Sequence, residues 1–249
     1  MKKNTMTLMA AGVCAAVVAQ VANAAMVAQW DFQTTTNGGT AVAAAPNSPL
    51  VYVSNFGTGT LYLDGTNGSS AWKQATSGNE ISAFGGTAVN ATGSMSTVTT
   101  LGALALIPGA RSGNGTTTPY SWAANGKSMV FKVSMTNLAN LEISYATQRS
   151  SVAGFTTHQW DYSINGTSWT TGTTVSPIPT SFATSSLAIT SGLNNAATAY
   201  VRVTFTGGTD ASANTRVDNF QFNATALPAP GAVALIGLAG LVASRRRRN

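Results

Sequence analysis

The sequence predicts an all-β protein, an antiparallel β-sandwich for which the jelly roll is the expected arrangement. Several segments alternate apolar and polar residues with a period of two, as half-buried strands do. Glycine and asparagine separate these segments at turn positions, and no stretch before the C-terminal tail has a helical period. Short strands joined by such turns pack as two antiparallel sheets around one core.

Residues 1–24 have the three parts of a secretory signal peptide. Lys2 and Lys3 give a positive start, an apolar run follows to Val21, and Ala22-Asn23-Ala24 forms an A-x-A cleavage site. We therefore expect signal peptidase to cut after Ala24. The only cysteine, Cys14, lies in this segment, so the processed protein is expected to contain neither a thiol nor a disulfide.

Residues 25–226 form the predicted sandwich domain. The predicted strands are, in chain order, residues 27–32, 50–54, 60–63, 101–107, 129–135, 141–147, 158–164, 168–171, 187–190, 200–205 and 216–223. Between two of them, Asn165-Gly166 predicts a two-residue hairpin turn of type I′, because both central positions of that turn need a positive φ. About 200 residues are enough to bury one continuous core.

The positive net charge does not indicate a nucleic-acid partner. The formal charge is +6, but six of the thirteen basic residues lie at the two chain ends, and the remaining seven balance seven acids. A neutral body has no field that steers a polyanion toward it. We therefore predict no nucleic-acid binding.

Residues 227–249 form a three-part C-terminal tail. Pro228-Ala229-Pro230 comes first, an almost wholly apolar stretch covers residues 232–243, and Arg245, Arg246, Arg247 and Arg248 end the chain. The prolines separate the tail from the domain. The apolar stretch predicts a short membrane helix, and the arginines hold its end in the cytoplasm.

This tail resembles the PEP-CTERM sorting signal of Gram-negative bacteria. The resemblance implies transient anchoring in the inner membrane, a processing enzyme of the exosortase type, and then a cell-surface or extracellular location. Ala229 stands where the family has a glutamate, so a variant enzyme and simple retention as an anchor are both open. Stretches such as WDFQTT, NGKSMVF and TRVDNFQF resemble the β-sandwich ectodomains that carry this tail, which implies a jelly-roll domain.

Asp218 is the most informative acid of the predicted domain. Phe220 and Phe222 share its parity, so a regular strand that buries both rings turns Asp218 toward the same apolar side. A buried carboxylate needs a partner. Arg202, Arg216 and backbone N–H groups are candidates for a structural role. A structural Ca²⁺ is the alternative, with Asp31 as second ligand.

Aromatic residues in polar loops are the candidates for ligand binding. Trp72 and Trp122 lie in such loops and would stack on sugar rings if exposed, whereas Trp160 alternates with core residues. His158, the only histidine, begins the same aromatic strand face and is expected to pack in or beside the core. No nucleophile-elbow motif is present, and a pair of catalytic carboxylates stays open.

These observations predict a non-enzymatic protein, exported to the cell surface or extracellular matrix and needing no cofactor apart from the calcium ion considered above. The alternative is a carbohydrate-binding module for a surface polysaccharide, and a secreted hydrolase is a third hypothesis.

Overall fold

The computed structural model describes residues 24–32, 50–73, 80–93, 102–109 and 124–228. These residues form thirteen β-strands and no helix, and every strand pairing is antiparallel. The strands build two sheets. The antiparallel sandwich predicted from the sequence is confirmed, and its jelly-roll connectivity stays a prediction.

The first sheet has seven strands. In chain order they are β1 (Ala24–Trp30), β3 (Phe56–Gly57), β5 (Ile81–Phe84), β6 (Ala103–Leu106), β8 (Leu138–Arg149), β11 (Ala183–Ile189) and β13 (Thr215–Ala226). Their order in space is β11-β8-β13-β1-β3, and β6 pairs with both β13 and β5. The two long strands, β8 and β13, therefore form the centre of this sheet.

The second sheet has six strands. They are β2 (Val51–Val53), β4 (Gly59–Tyr62), β7 (Ser128–Val133), β9 (Thr157–Ser163), β10 (Thr170–Val175) and β12 (Ala199–Thr206), in the spatial order β10-β9-β12-β7-β4-β2. Consecutive strands often lie in different sheets, as β7 and β8 do. Residues close in sequence therefore reach opposite layers.

Aromatic side chains from both sheets fill the space between them. Trp30 of β1 contacts Phe131 of β7 across the sandwich, with 5.0 Å between ring centroids, and Phe222 of its own sheet at 5.3 Å. Gly59 makes room for this packing, because a Cβ there would lie 2.7 Å from the Trp30 ring. Burial of each such ring contributes about 2 kcal/mol.

The period of two located the main strands because one side of each strand faces this core. Eleven predicted strands overlap observed ones, and the prediction missed β3 and β5. The type I′ hairpin is wrong. Tyr162 pairs with Thr170, which leaves a longer loop at residues 164–169, and in the Asn165-Gly166 pair only Gly166 has a positive φ.

The two ends of the described domain lie side by side. Ala24 at the start of β1 pairs with Thr225 near the end of β13. Several predicted positions lie outside the described residues: Ala22, Trp122, Ala229, Pro230, Arg245, Arg246, Arg247 and Arg248. Within the described ranges, no helix is long and apolar enough to cross a membrane.

Candidate functional site

Asp218 lies on the outer face of the seven-stranded sheet, not on the core side as predicted. Val217 and Phe220 both belong to the core, and the β13–β8 register shifts between Asp218 and Gln221. This bulge centres on Asn219, whose φ is 49°. The extra residue turns Asp218 away from Phe220, so the prediction that the two side chains share one face is wrong.

Asp218 is nevertheless fully buried, because residues 85–93 cover it. One carboxylate oxygen accepts a hydrogen bond from the Thr87 N–H at 3.0 Å, and the other accepts one from the Asn219 N–H at 2.9 Å. The predicted arginine partner is not Arg202, which pairs with Asp161. Of the partners considered from the sequence, the backbone N–H groups are the ones that contact Asp218.

Further side chains hold residues 85–93 against the sheet. The Asn219 amide donates to the carbonyl oxygens of Thr87 at 2.7 Å and Val89 at 2.9 Å. Asn90 donates to Ser144 Oγ at 3.1 Å and to the Asn219 carbonyl at 2.8 Å. We call this covered surface the closed face, defined by Ser144, Asp218, Asn219 and Gln221.

The closed face is the predicted calcium position. Asp31 follows Trp30, which pairs with Phe220, and its charge adds to the effect of burial in raising the pKa of Asp218. Burial is the main cause of that shift, which brings the pKa to about 8 against the two N–H bonds that lower it.

The donor set fits a calcium ion only in part. The buried Asn219 Oδ1 has no hydrogen-bond partner, and with Asp31 and Asp218 it offers oxygen ligands of the type that Ca²⁺ takes. Calcium needs six to eight oxygens. In the described ranges, no three or more His, Cys, Asp or Glu residues form a metal-binding group.

His158 lies in the core, as the sequence analysis expected. It is fully buried, its Nδ1 is 2.9 Å from the Tyr145 hydroxyl, and burial lowers its pKa to about 3. It packs edge-on against Phe205. A buried neutral imidazole without solvent access cannot reach an external substrate, so His158 is a packing residue.

Trp72, a candidate for stacking on sugar rings if exposed, is buried. Its side chain is 5% exposed, its ring contacts Phe155 and Phe205, and its indole N–H donates to the Ser128 carbonyl at 2.9 Å. The polar residues around it in the sequence belong to a loop that folds over the end of the core. Trp72 is therefore unavailable for stacking on a ligand.

Half-exposed aromatic and basic side chains lie together on the outer face of the six-stranded sheet, beside the buried Asp161. Their strand neighbours Leu61, Phe131, Trp160, Val201 and Val203 face the core, so alternation turns them outward. We call this surface the open face, defined by Thr60, Tyr62, Lys132, Asp161, Trp169, Tyr200 and Arg202.

Strand register arranges the open face in two rows. Thr60, Lys132 and Tyr200 lie opposite one another on β4, β7 and β12. In the neighbouring row, Arg202 lies opposite Asp161 on β9. Opposite residues on adjacent strands are within about 5 Å of each other, so their side chains form one continuous surface.

Arg202 connects the sheet to the loop at residues 164–169. Its Nη2 and Nε donate to one Asp161 oxygen at 2.8 and 3.2 Å. Its guanidinium carbon lies 4.3 Å from the centroid of the Trp169 ring. Because both contacts use the same guanidinium, Arg202 fixes the position of the Trp169 ring above the sheet.

Tyr200 is held in the same way by its surroundings. Lys132 Nζ lies 5.9 Å from the centroid of the Tyr200 ring, and a Cβ at Gly166 would lie 3.3 Å from that ring. Gly166 therefore allows the loop to approach the tyrosine closely. The loop thus supports both Trp169 and Tyr200.

Trp169 was not predicted as a site residue, because the hairpin prediction placed it inside a strand. Asn165 Oδ1 accepts hydrogen bonds from the N–H groups of Thr167 and Ser168, each at 2.9 Å, which stabilise a wider loop. The sequence did contain a signal for this loop, the Asn-Gly-Thr-Ser run before Trp169. Each polar side chain of that run can form a hydrogen bond to nearby backbone.

A cleft adjoins the open face at the sheet edge. It has a volume of about 250 Å³ and lies between β9, β10 and β11, with Asp161, Tyr162 and Thr171 among its lining residues. Asp161 thus borders both surfaces.

Neither a protein-family model nor a curated protein matches this sequence. Among solved structures, the chain is similar to a family 35 carbohydrate-binding module from an environmental isolate, with 12% identity, a TM-score of 0.34, and coverage of 60% of this chain and 93% of that one. A family 16 carbohydrate-binding module has 12% identity and a TM-score of 0.32, over 64% and 94% of the two chains.

An adhesin domain is similar to the same degree. The K3 domain of Lys-gingipain from Porphyromonas gingivalis W83 has 11% identity and a TM-score of 0.39, over 81% of this chain and 99% of that one. TM-scores this low add no argument about function, which therefore rests on the chain's own residues.

Proposed function

We propose that this chain is an exported, non-enzymatic β-sandwich protein that binds extracellular polysaccharide through its open face. The observation that carries the proposal is the group of half-exposed Tyr62, Trp169 and Tyr200 rings, set among hydrogen-bonding side chains on one sheet face. Pyranose rings have apolar C–H surfaces and a rim of hydroxyls. Aromatic rings beside fixed polar groups match both features.

The geometry favours binding over hydrolysis. Asp161 is the only carboxylate among the residues that define the open face, and Arg202 neutralises it. Glycoside hydrolysis by the usual route needs two carboxyl groups about 5–10 Å apart across the scissile bond. A face with one paired carboxylate holds a sugar chain without supplying an acid and a base.

Delivery to the outside is assigned to the two terminal segments. Ala24, the last residue of the predicted leader, pairs with Thr225 in β13, so the two proposed processing segments join the sandwich next to each other. In this proposal, signal peptidase cuts after Ala24 and an exosortase-like enzyme processes the tail. Mass spectrometry of the native protein tests this, because an intact Met1 recovered from the soluble cell interior would contradict export.

Affinity electrophoresis in gels that contain polysaccharides tests the binding site. Trp169→Ala should abolish retardation of the full chain, because it removes the ring that Arg202 holds over the sheet. Phe56→Ala is the matched control, since Phe56 is a 50% exposed ring outside the open face. If neither variant differs from the parent, or both lose binding equally, the open face is not the site.

A structural calcium ion at the closed face is a second proposal. Asp31, Asp218 and the unpartnered Asn219 Oδ1 would hold it, and the ion would keep the Asp218 carboxyl ionised. The melting temperature of the parent should then rise on adding calcium and fall with a chelator, and Asp218→Asn should remove this response. A melting temperature that is indifferent to calcium in the parent would exclude the ion.

A further inference from the structure

Lys132 occupies the middle of one row of the open face. It is half-exposed on β7, with Thr60 on one side and Tyr200 on the other. Its ammonium group lies 5.9 Å from the centroid of the Tyr200 ring. The charge is therefore held beside the aromatic surface that a sugar would cover.

Lys132 has no carboxylate partner in the described part of the chain. The described residues contain two ion pairs, Lys127 with Glu80 and Arg202 with Asp161. All seven aspartate and glutamate residues of the sequence lie in the described ranges, so none is hidden elsewhere. An ammonium group has three donors, and those of Lys132 make no hydrogen bond to the described residues.

The neighbouring row differs in charge. Arg202 and Asp161 neutralise each other, so Lys132 gives the open face a net charge of one. The sandwich as a whole is electrically balanced, with the excess basic residues at the chain ends. Attraction of an anion to this face must therefore come from a local contact with Lys132 rather than from a general field.

We infer that the open face selects polysaccharides whose sugars carry an anionic group, with Lys132 pairing that group while the Tyr200 ring packs against the sugar. This inference rests on the proposed function and adds the ligand class to it. One exposed ion pair changes affinity by about fivefold at most, and less at high salt. A small preference that salt removes is therefore the expected signature.

The experiment compares polygalacturonate with its methyl-esterified form, which has the same backbone without the charge, and alginate with neutral β-glucan and galactan. Dissociation constants of the full chain are measured at low and high salt. The parent should prefer the acidic form by about fivefold at low salt, and Lys132→Gln should abolish the preference. Lys73→Gln is the matched control, because it removes an exposed lysine outside the open face.

The outcomes separate this inference from the proposed function. A preference lost in Lys132→Gln but kept in Lys73→Gln supports it. The inference is overturned if the parent binds polygalacturonate and its methyl-esterified form equally, if it binds neutral polysaccharides alone, or if the preference survives Lys132→Gln. Each of these outcomes leaves polysaccharide binding standing. A thermal unfolding curve checks that each variant is folded. If the folded parent binds none of these polysaccharides, the proposed function fails and this inference fails with it.

Discussion

The closed face and the open face occupy equivalent positions on the two sheets, but only the closed face is covered by a loop. Each is the outer surface of a sheet, and each has polar residues at alternate strand positions. Residues 85–93 cover the closed face and bond to Asp218 and Asn219. On the open face, Trp169 at the end of the loop at residues 164–169 packs against Arg202 and stays half-exposed.

This difference teaches that a polar residue on an outer sheet face acquires its role from what lies above it. Under a loop, its hydrogen bonds are buried, and losing one leaves an unsatisfied group. Beside solvent, water replaces a lost contact, and the effect falls on ligand binding. Closed-face substitutions should therefore lower stability, and open-face substitutions should lower affinity.

The largest effect on stability is expected for Trp72, which was a ligand-binding candidate in the sequence. Trp72→Ala removes a buried ring packed on Phe155 and Phe205, and should lower the free energy of unfolding by about 4 kcal/mol. Trp169→Ala loses a half-exposed contact with Arg202 and should cost about 1 kcal/mol or less. Urea denaturation measures both, and equal losses would break the distinction between the core ring and the open-face ring.

Asn219 should carry the next largest effect. Asn219→Ala removes two hydrogen bonds to buried carbonyls and places alanine at a φ of 49°, so we expect a loss of about 3 kcal/mol. Asn219→Gly keeps the backbone conformation and removes only the amide, which separates the two causes. If Asn219→Ala lowers the free energy of unfolding no more than Tyr200→Ala on the open face does, Asn219 does not hold residues 85–93 against the sheet.

The pH dependence of stability tests the closed face in another way. In calcium-free buffer, burial raises the pKa of Asp218 to about 8, so the folded state keeps a proton that the unfolded chain releases. The contribution of Asp218 to the free energy of unfolding is thus complete below about pH 4 and is lost as pH rises to about 8. The slope approaches about 1.4 kcal/mol per pH unit.

His158 makes the free energy of unfolding depend on pH in the opposite direction. Burial lowers its pKa to about 3, so the unfolded chain takes up a proton that the folded state refuses, and stability falls as pH drops from about 6.5 to 3. The two contributions offset each other between about pH 4 and 6.5. Denaturation across pH should show this plateau, and Asp218→Asn should remove the decline above it. A decline that persists in Asp218→Asn would contradict the assignment.

The smallest effect concerns the ion pair on the open face. A double-mutant cycle with Arg202→Gln and Asp161→Asn should give a coupling energy of about 1 kcal/mol, as expected for a partly exposed pair. Arg202→Gln should also weaken polysaccharide binding, because Trp169 loses its support. Binding unchanged in Arg202→Gln would contradict the role of Arg202 in positioning the ring.

The strands were predictable where a buried face alternates with a polar one. In β12, Val201, Val203 and Phe205 face the core, and the period of two located the strand almost to its ends. Strand β3 has two exposed residues, and three of the four residues of β5 are apolar, so neither strand alternates clearly enough to be recognised. Local pattern predicts structure only where local sequence records burial.

The candidate site was less predictable than the fold. Asp218 was correctly singled out as a buried acid. Its face was wrong because the bulge at Asn219 shifts the register by one residue. Two features of the sequence were the signal for that bulge. Asn219 is of a residue type that tolerates positive φ, and the core residues Val217 and Phe220 are three positions apart.

The sequence by itself determined the all-β class, the positions of most strands and the balance of charge along the domain, because side-chain alternation and composition are local properties. Only the tertiary structure decided which tryptophan is buried, which sheet face is covered and which lysine lacks a partner. These depend on contacts between residues far apart in the chain, such as Thr87 with Asp218, and no local pattern encodes them.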